Sequence, residues 1–304
     1  MKQSLSNFSL KKRAKTFYFA SLFFSKAKQF DIKKLYLFCR FIDDLGDSSL
    51  KNNKASIIKL NKIKKELKDF KSADPVVSGF IYLMKKYNIS HSIPNDLING
   101  VLSDFKKVDI KNYNQLYHYS YKVAGTVGLM MCKIMDVQKE SSLLHGVQLG
   151  IAMQLTNIAR DIKEDLLKDR IYFPKEIRKN VKKNFIHLTE NKKLQVRFSE
   201  DLESFLSTAD QIYSLAWRGI IGLPIKYKIP IAIASYLYQS IGIKIRENKY
   251  DIWSKRIYLT HIEKIIKTIK ILIKLFFYKR MISNKVVANK LNKTLNNIYS
   301  NKCA

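Results

Sequence analysis

Apolar and polar residues recur with a helical period along almost the whole chain. Apolar side chains return three and four positions apart, and no segment shows the sustained two-residue alternation that indicates a strand. The pattern therefore predicts an all-α protein. The expected helices are Lys15–Ser25, Ile32–Leu45, Ser56–Phe70, Val76–Tyr87, Leu97–Phe105, Tyr113–Met135, Ser141–Leu167, Phe198–Arg218, Ile229–Glu247 and Ile257–Lys279.

Three segments depart from this regular pattern. Gly125 and Gly128 interrupt the helix Tyr113–Met135. Because a glycine in a helix interior costs about 1 kcal/mol, this pair predicts a kink or a place where a ligand lies against the backbone. Lys175–Lys193 has little periodicity and predicts a basic, mobile loop, whereas Lys285–Ala304 predicts a frayed tail.

The predicted helix Ser141–Leu167 carries a narrow polar stripe on an otherwise apolar surface. A surface helix normally has a broad polar face, so this stripe is predicted to point into the protein. Buried carboxylates one turn apart need a cation to stay ionised, and a hard divalent ion such as Mg2+ takes oxygen ligands of this kind. Residues three and four apart share a face, and the stripe consists of Gly150, Gln154, Asn157, Asp161 and Asp165.

A second pair of acids, Asp43 and Asp47, lies one turn apart where an upstream apolar helix ends. Asp44 lies between them, and Arg40 and Arg160 lie close to the two acidic motifs. A single DxxxD motif on a helix is typical of a solvated edge. Two such motifs, each closing a long apolar helix, favour an acidic lid over a cavity. Since Mg2+ commonly combines a few carboxylates with substrate phosphates, the pattern predicts a bound diphosphate.

Five segments resemble the squalene and phytoene synthase family, and within it the bacterial phytoene synthases most. The resemblance covers residues 13–264. It implies an all-α fold of isoprenoid synthase type, a helical bundle around a central cavity, as a single domain over 1–304 with a basic C-terminal helix and tail at 265–304. The segments are RAKTFYFAS (Arg13–Ser21), LYLFCRFIDDLGD (Leu35–Asp47), YSYKVAGTVG (Tyr119–Gly128), LGIAMQLTNIARDIKEDLLKDRIYFP (Leu149–Pro174) and YLYQSIGIKIRENKYDIW (Tyr236–Trp253).

The resemblance implies a prenyltransferase. The expected reaction is the head-to-head condensation of two geranylgeranyl diphosphates, through a cyclopropylcarbinyl (prephytoene) diphosphate, to phytoene, the first step of carotenoid biosynthesis. Mg2+ is the expected cofactor, with Mn2+ as an alternative, and no NADPH is expected. One alternative is a squalene or dehydrosqualene synthase that uses farnesyl diphosphate. Another is a non-catalytic assembly factor of the same fold, and a third is a generic basic membrane or RNA binder.

The resemblance also implies roles for individual residues. Tyr119 is expected to stabilise a carbocation through the negative face of its ring. Arg13 departs from the family pattern, in which many relatives have histidine. Ser21, small and one turn beyond Phe17, is expected to leave room for a longer prenyl tail. The expected metal ligands are Asp43, Asp47, Asn157, Asp161 and Asp165, and their four carboxylates and Tyr119 form the catalytic set. The expected diphosphate-binding residues are Arg13, Lys15, Thr16, Tyr36, Arg40, Gln154, Arg160 and Tyr238.

The chain is strongly basic: 46 Lys and 10 Arg against 25 Asp and Glu give a formal net charge of +31. An excess of Lys, Ile and Asn is typical of an AT-rich genome, but it also predicts attraction to anionic lipid or steering of diphosphates. The lysines are scattered rather than clustered with aromatic residues, so nucleic acid is not an expected partner. The sequence carries no signal for an oligomeric state.

The segment Tyr258–Tyr278 combines Ile, Leu and Phe with four lysines, Lys264, Lys267, Lys270 and Lys274. It predicts either a core-facing helix whose lysines lie along its outer face or an interfacial helix on an anionic membrane. No run of about 18 apolar residues predicts a spanning helix, and the N-terminus does not resemble a signal peptide. The expected location is the cytoplasm, with peripheral contact at the inner face of the cytoplasmic membrane.

Overall fold

The structure is a computed structural model that describes residues 15–47, 53–277 and 292–298, and it confirms the all-α prediction. The helices are α1 (Lys15–Ser21), α2 (Lys26–Gly46), α3 (Asn53–Lys68), α4 (Pro75–Lys86), α5 (Ser92–Ser103), α6 (Tyr113–Ser120), α7 (Thr126–Ile134), α8 (Glu140–Leu166), α9 (Lys192–Gly222), α10 (Ile225–Glu247) and α11 (His261–Phe277). Residues 292–298 are also helical. In the described part of the chain, no helix is long and apolar enough to span a bilayer.

The central element is α8, which is 27 residues long and extends about 40 Å. It packs most extensively against α9, and it also contacts α7 and α10. Ile151, Ala152 and Leu155 on its inner faces are completely buried. The polar stripe predicted for this helix therefore lies on an element whose other faces are tightly packed in the core.

The glycines predicted to interrupt a helix mark a close helix–helix contact. Tyr121–Gly125 forms a π-helical turn between α6 and α7. A Cβ atom at Gly128 would lie 2.1 Å from the carbonyl oxygen of Gly146 on α8, and one at Gly150 would lie 2.3 Å from the carbonyl oxygen of Ala124. Glycine is required at these positions because the two backbones touch.

The segment predicted as a mobile loop is packed into the core, and that prediction is wrong. It forms 3-10 turns at Lys175–Ile177 and Lys182–His187. Ile177, Val181, Phe185 and Leu188 are buried, and their spacing of four, four and three residues is the signal that the prediction overlooked. The helix α9 then begins six residues before the predicted start, where the Asn191 side chain accepts a hydrogen bond from the Leu194 backbone N–H.

A short parallel ladder, absent from the prediction, precedes this segment. Strand β1 (Val108–Asp109) pairs with β2 (Arg170–Ile171). The buried Arg178 side chain stabilises this corner by donating to the Phe173 carbonyl oxygen and, over 2.7 Å, to the Asp109 carboxylate. The ladder attaches the end of α8 to the chain between α5 and α6.

The predicted frayed tail is partly ordered. Leu295 and Ile298 are buried, and the side-chain amide of the fully buried Gln148 on α8 donates to the Asn292 side chain over 2.9 Å. The prediction is therefore wrong for residues 292–298, while the remainder of Lys285–Ala304 lies outside the described residues.

The first turn of α11 is held by a capping box. The Thr260 backbone N–H donates to the Glu263 carboxylate over 2.7 Å, and the Glu263 backbone N–H donates to the Thr260 hydroxyl over 3.3 Å. Lys244 on α10 also donates to both oxygens of the Glu263 carboxylate, at 2.6 and 2.7 Å. These contacts fix the start of α11 against α10.

The change Glu263→Gln is expected to lower the free energy of unfolding by about 1 kcal/mol at pH 7, because a charged cap is lost. Burial alone would raise the pKa of Glu263, but hydrogen bonds from Lys244 and Thr260 outweigh it and lower the pKa to about 2. A carboxyl whose pKa falls on folding contributes fully above its unfolded pKa of about 4.3. Its contribution is lost as the pH falls through about 2.

Urea unfolding of both proteins between pH 7 and pH 2 measures this contribution. The difference between them should shrink as the pH falls below about 4. Glu247→Gln at the exposed end of α10 is the matched control, and it should show no such loss. A Glu263→Gln difference that stays constant with pH would contradict the assignment.

Candidate functional site

A cavity of about 700 Å3 runs between α2, α7, α8, α9 and α10. Along α8 its lining residues extend from Ser142 to Arg160, a distance of about 27 Å at 1.5 Å per residue. The wall is apolar over most of this length, with Val127, Met131 and Leu149 among its residues. It becomes polar where α2 and α8 approach their C-terminal ends. The polar residues there are Thr16, Tyr36, Arg40, Asp43, Gln154, Asn157, Arg160, Tyr238 and Arg256.

Most of the residues predicted to bind diphosphate lie on this polar wall. Thr16, Tyr36, Arg40, Gln154, Arg160 and Tyr238 line the cavity, together with the predicted metal ligands Asp43 and Asn157. The described wall does not include the other predicted ligands, Asp47, Asp161 and Asp165, or Tyr119. Arg13 and the side chain of Lys15 lie outside the described residues.

Two arginines hold Asp161. The Arg160 guanidinium donates to both of its oxygens, with Nε 2.7 Å from Oδ1. Arg256 donates from the other side, with Nε and Nη2 each 2.9 Å from an Asp161 oxygen. Burial alone would raise the pKa of Asp161, but the two guanidinium groups outweigh it and hold the pKa below its ordinary value. The sequence prediction missed Arg256, which lies three residues beyond Trp253, the end of the last recognised motif.

Asp43 and Asp165 have a different environment. Within the described residues neither carboxylate has a cationic partner within 4 Å. The surrounding protein atoms, with Asp47 and Asp44 nearby, desolvate the Asp43 carboxylate and raise its pKa to about 7, although the residue is exposed to the cavity. Burial and Asp161 likewise raise the pKa of Asp165 to about 7. An added cation near these groups would therefore stabilise their ionised forms.

Arg170 and Lys168 connect the two acidic motifs. The Asp47 carboxylate accepts hydrogen bonds from Lys168 Nζ and Arg170 Nη1, each over 3.2 Å. Arg170 Nη2 also donates to the carbonyl oxygen of Gly46 over 3.0 Å. The positive charges of both residues lower the pKa of Asp165 against the larger effect of burial. The segment that follows α8 therefore brings the ends of α2 and α8 together.

Tyr119 lies beside Asp104 rather than on the cavity wall. Its hydroxyl donates to the Asp104 carboxylate over 3.1 Å, and its ring stacks on Tyr172 with centroids 4.8 Å apart. Burial, with a contribution from Asp47, raises the pKa of Asp104 to about 6. The sequence prediction missed Asp104, which lies in no recognised motif, and the role expected for Tyr119 stays a prediction.

The donor set suits a hard divalent cation in its chemistry. All five predicted ligands offer oxygen, as Mg2+ prefers, and Asp43 and Asp165 have no described ion pair to break. Asn157 donates its amide N–H to Gln154 over 3.5 Å, which leaves its carbonyl oxygen available. Within the described residues, however, no three His, Cys, Asp or Glu side chains converge on one point. The acids lie in two groups, one at the end of each helix.

His145, on the apolar part of the cavity wall, belongs to a chain of polar side chains. His145 Nδ1 lies 2.9 Å from the Gln148 side-chain oxygen, and Gln148 in turn donates to Asn292. Lys264 lines the cavity and is 2% exposed. It therefore lies on the inner face of α11, which contradicts the predicted outward lysine face at this position, whereas Lys270 and Lys274 are exposed.

Ser21 does not line the described cavity wall, and the idea that it makes room for a longer prenyl tail stays a prediction. The residue is buried. Its hydroxyl donates to the Tyr18 carbonyl oxygen over 2.7 Å, within the same turn of α1.

Comparisons with known proteins agree with this architecture. The chain is 28% identical over 265 residues to the 15-cis-phytoene synthase of Pantoea ananas, covering 83% of this chain and 85% of that protein. It is 30% identical over 270 residues to the chloroplastic phytoene synthase of an Oncidium hybrid cultivar, covering 83% of this chain but 63% of that protein.

A crystal structure of a dehydrosqualene synthase in complex with a ligand superposes with a TM-score of 0.78 at 27% identity. The superposition covers 88% of this chain and 94% of the other. A sequence model of squalene/phytoene synthases matches residues 10–263. The chain therefore belongs to the squalene/phytoene synthase family of prenyltransferases and has its isoprenoid synthase fold.

Proposed function

We propose that this protein is a Mg2+-dependent phytoene synthase that joins two geranylgeranyl diphosphates head to head. The observation that carries the proposal is the change from a polar to an apolar wall along one cavity. A geranylgeranyl chain has sixteen main-chain carbons, and at about 1.5 Å per carbon–carbon bond its extended length is roughly 20 Å. The cavity, at about 27 Å along α8, accommodates this length with the diphosphate at the polar end.

The arginines of the polar wall would bind the diphosphates. Arg40 and Arg160 face the cavity, and Arg256 reaches it from the segment before α11. Planar guanidinium groups suit the oxygens of a diphosphate better than lysines do, because they donate two parallel hydrogen bonds. Tyr36 and Tyr238 add hydroxyl donors on the same wall. These fixed donors would stabilise the charge that develops as the diphosphate leaves.

The predicted ligands at the ends of α2 and α8 would hold the metal ions. Mg2+ supplies Lewis-acid neutralisation of the leaving diphosphate when it is bound. Asp43 and Asp165 are the strongest candidates among the ligands, because their carboxylates have no described cationic partner. Asp47, Asp161 and Asn157 would complete the set. Arg256 and Arg160 would then be shared between Asp161 and the substrate diphosphate.

The apolar wall would shield the carbocation intermediates of the reaction from water. The first substrate loses its diphosphate at C1, and the double bond of the second substrate attacks to form the cyclopropylcarbinyl diphosphate with loss of a proton. That intermediate loses its diphosphate, rearranges, and loses a second proton to give the central double bond. Val127, Met131, Leu149 and Met153 carry no hydroxyl or amine and hold no water by hydrogen bonds, so this part of the wall would keep water away from the cations. The released diphosphates are the bases that accept the protons.

A farnesyl-using enzyme is the second candidate. The dehydrosqualene synthase structure resembles this chain over most of its length, and the same polar wall would serve a shorter substrate. The chemistry up to the cyclopropylcarbinyl intermediate would be identical. Only the chain length and the fate of the last cation would differ.

The product formed from farnesyl diphosphate and from geranylgeranyl diphosphate, with and without Mg2+ and NADPH, tests the proposal. We expect a forty-carbon hydrocarbon from geranylgeranyl diphosphate that requires Mg2+ and does not require NADPH. A thirty-carbon product formed in preference would transfer the assignment to the farnesyl-using class. No product from either substrate would overturn the enzymatic proposal and favour the non-catalytic alternative.

The working location proposed for the enzyme is the cytoplasm, with peripheral contact at the inner face of an anionic membrane. The prenyl tails and the hydrocarbon product dissolve in lipid rather than in water. A net charge of +31 would attract the protein to anionic headgroups, at about 1 kcal/mol for each basic residue close to the surface.

A further inference from the structure

The helix α11 turns most of its large apolar side chains outward. Its buried residues are Lys264, Thr268 and Ile271, and Leu272 and Leu275 are partly buried against the core. Its outer face exposes a continuous stripe of large apolar side chains, of which Phe276 is 81% and Ile262 is 71% exposed. The members of this stripe, called here the α11 stripe, are Ile262, Ile265, Ile266, Ile269, Ile273, Phe276 and Phe277. A bundle helix in water would have the opposite arrangement.

The orientation of α11 is fixed at both ends. At its start, Glu263 is held by Lys244 of α10 and by the Thr260 backbone. Near its end, the Lys274 ammonium lies over the Trp217 ring of α9, 5.5 Å from its centroid. Rotating the helix to bury the stripe would break both contacts and would withdraw Lys264 from the cavity. The stripe is therefore exposed as a consequence of specific contacts.

The size and continuity of the α11 stripe indicate a binding surface. Single exposed apolar residues are common on soluble proteins, but a contiguous patch of this kind marks an interaction site. The stripe is bordered by Lys267, Lys270 and Lys274, and the one acid of the helix, Glu263, is neutralised by Lys244. Apolar residues flanked only by cations are typical of a helix that lies in the headgroup region of an anionic bilayer.

We propose that the α11 stripe docks the protein on an anionic lipid surface, with the helix axis parallel to the membrane. Charge favours lipid over a second copy of this chain, because pairing two stripes would bring together two molecules of net charge +31. Lys267 and Lys270 would contact lipid phosphates, while the isoleucine and phenylalanine side chains enter the boundary of the acyl chains.

The docking surface is continuous with the wall of the active-site cavity. Ile257, Tyr258, Leu259 and Lys264 line the cavity at the start of α11, and Tyr258 is also 67% exposed on the outside. The cavity therefore reaches the protein surface next to the stripe. Docking would bring this opening to the lipid. If the proposed function holds, on which this step rests, a prenyl tail would enter there and a hydrocarbon product would leave without crossing water.

Vesicle flotation of the full chain without substrate tests the docking. The vesicles are phosphatidylcholine alone and phosphatidylcholine mixed with phosphatidylglycerol. We expect binding to the mixed vesicles, weakened by salt, and a loss of at least tenfold in affinity for the triple variant Ile265→Ser, Ile269→Ser, Phe276→Ser. The matched control replaces three exposed apolar residues elsewhere, Ile58→Ser, Ile186→Ser and Val196→Ser, and should bind as the wild type does.

Several outcomes would overturn the proposal. The first is a triple variant that binds mixed vesicles as tightly as the wild type, as expected if another segment of the chain covers the stripe. The second is a wild type that does not float but self-associates in sedimentation, with the triple variant monomeric; the stripe would then be a dimer interface. The third is equal binding to phosphatidylcholine alone at every salt concentration, because anionic charge would then be irrelevant.

Synthase activity in detergent micelles separates this proposal from the proposed function. None of the three replaced residues lines the cavity, so the triple variant should form product in detergent at the wild-type rate. A protein that binds vesicles through the stripe but forms no hydrocarbon would refute the proposed function and leave the docking surface standing. A protein that forms the hydrocarbon, but whose vesicle binding does not depend on the α11 stripe, would refute the docking surface and leave the proposed function standing.

Discussion

Replacing Asp43 with asparagine is expected to lower the rate of hydrocarbon formation by about 10²–10³-fold, comparable to the loss of one fixed group that stabilises developing charge. Asp43 lines the polar wall, has no described cationic partner, and has a pKa raised to about 7 by desolvation within the cavity and by neighbouring acids. These properties fit a carboxylate that completes its environment with a divalent cation. Asparagine keeps the size of the side chain but removes the charge.

The measurement is the initial rate with geranylgeranyl diphosphate over a range of Mg2+ concentrations. The variant should also need more Mg2+ for half-maximal rate, because a ligand is lost. Its melting temperature should not fall, since no described ion pair is broken. The matched control, Asp69→Asn on the exposed surface just after α3, should leave both the rate and the Mg2+ dependence unchanged.

A variant that keeps more than a tenth of the wild-type rate at every Mg2+ concentration would remove Asp43 from the metal site. A variant with a low rate but an unchanged Mg2+ dependence would assign Asp43 to substrate positioning instead. The comparison with Asp44→Asn is informative, because Asp44 is paired with Arg40. That variant should act mainly through Arg40, and it should raise KM more than it changes the need for Mg2+.

The sequence predicted those parts of the site in which the residues lie close together on one helix. On one helix, residues three and four apart must share a face. For this reason Gly150, Gln154 and Asn157 were expected to face one space, and α8 places them on one wall of the cavity. Asp161 and Asp165, the other members of that stripe, do not line the described wall. The same reasoning brought Arg40 and Asp43 together on α2.

The parts that it missed depend on tertiary contacts. Arg256 reaches Asp161 across 95 residues, and no periodicity within either segment predicts that pairing. Asp104 meets Tyr119 only because the chain folds back after α5. Residues of this kind are found only when the packing of distant segments is known.

The orientation of α11 shows a second kind of feature that the sequence pattern does not predict. Hydrophobic periodicity predicts a helix with two faces, but it does not predict which face meets the core. The usual assumption places the isoleucines inside, because burying them is favourable by roughly 25 cal/mol per Å2. Here Lys264 and Thr268 lie inside beside Ile271, while five other isoleucines of the helix are exposed, which is the arrangement expected of a helix whose other solvent is lipid.

The second large effect is expected at the contact between α7 and α8. Gly128→Ala should lower the free energy of unfolding by about 2–4 kcal/mol, as for an overpacked core site. The added methyl group would lie 2.1 Å from the Gly146 carbonyl oxygen and 2.8 Å from its carbon. Both are backbone atoms, so no side chain can rotate away, and one helix has to move.

Gly79→Ala is the matched control, because it makes the same substitution inside α4 with nothing within 4 Å of the new methyl group. It should stabilise the protein by about 0.5–1 kcal/mol, as alanine favours a helix over glycine and restricts the unfolded chain. Urea unfolding of both variants gives the comparison. Equal stabilities for the two would contradict the backbone contact and would indicate a looser junction between α7 and α8.

The change Gly128→Ala should also alter the substrate preference of the enzyme, because Gly128 and Gly146 both line the cavity. Moving α7 away from α8 would change the shape of the apolar channel while leaving the polar wall intact. We therefore expect Gly128→Ala, assayed below its melting temperature, to change the preference between farnesyl and geranylgeranyl diphosphate more than it changes the Mg2+ dependence. A variant that loses stability but keeps its substrate preference would show that α7 moves outward as a whole and that the channel adapts around it.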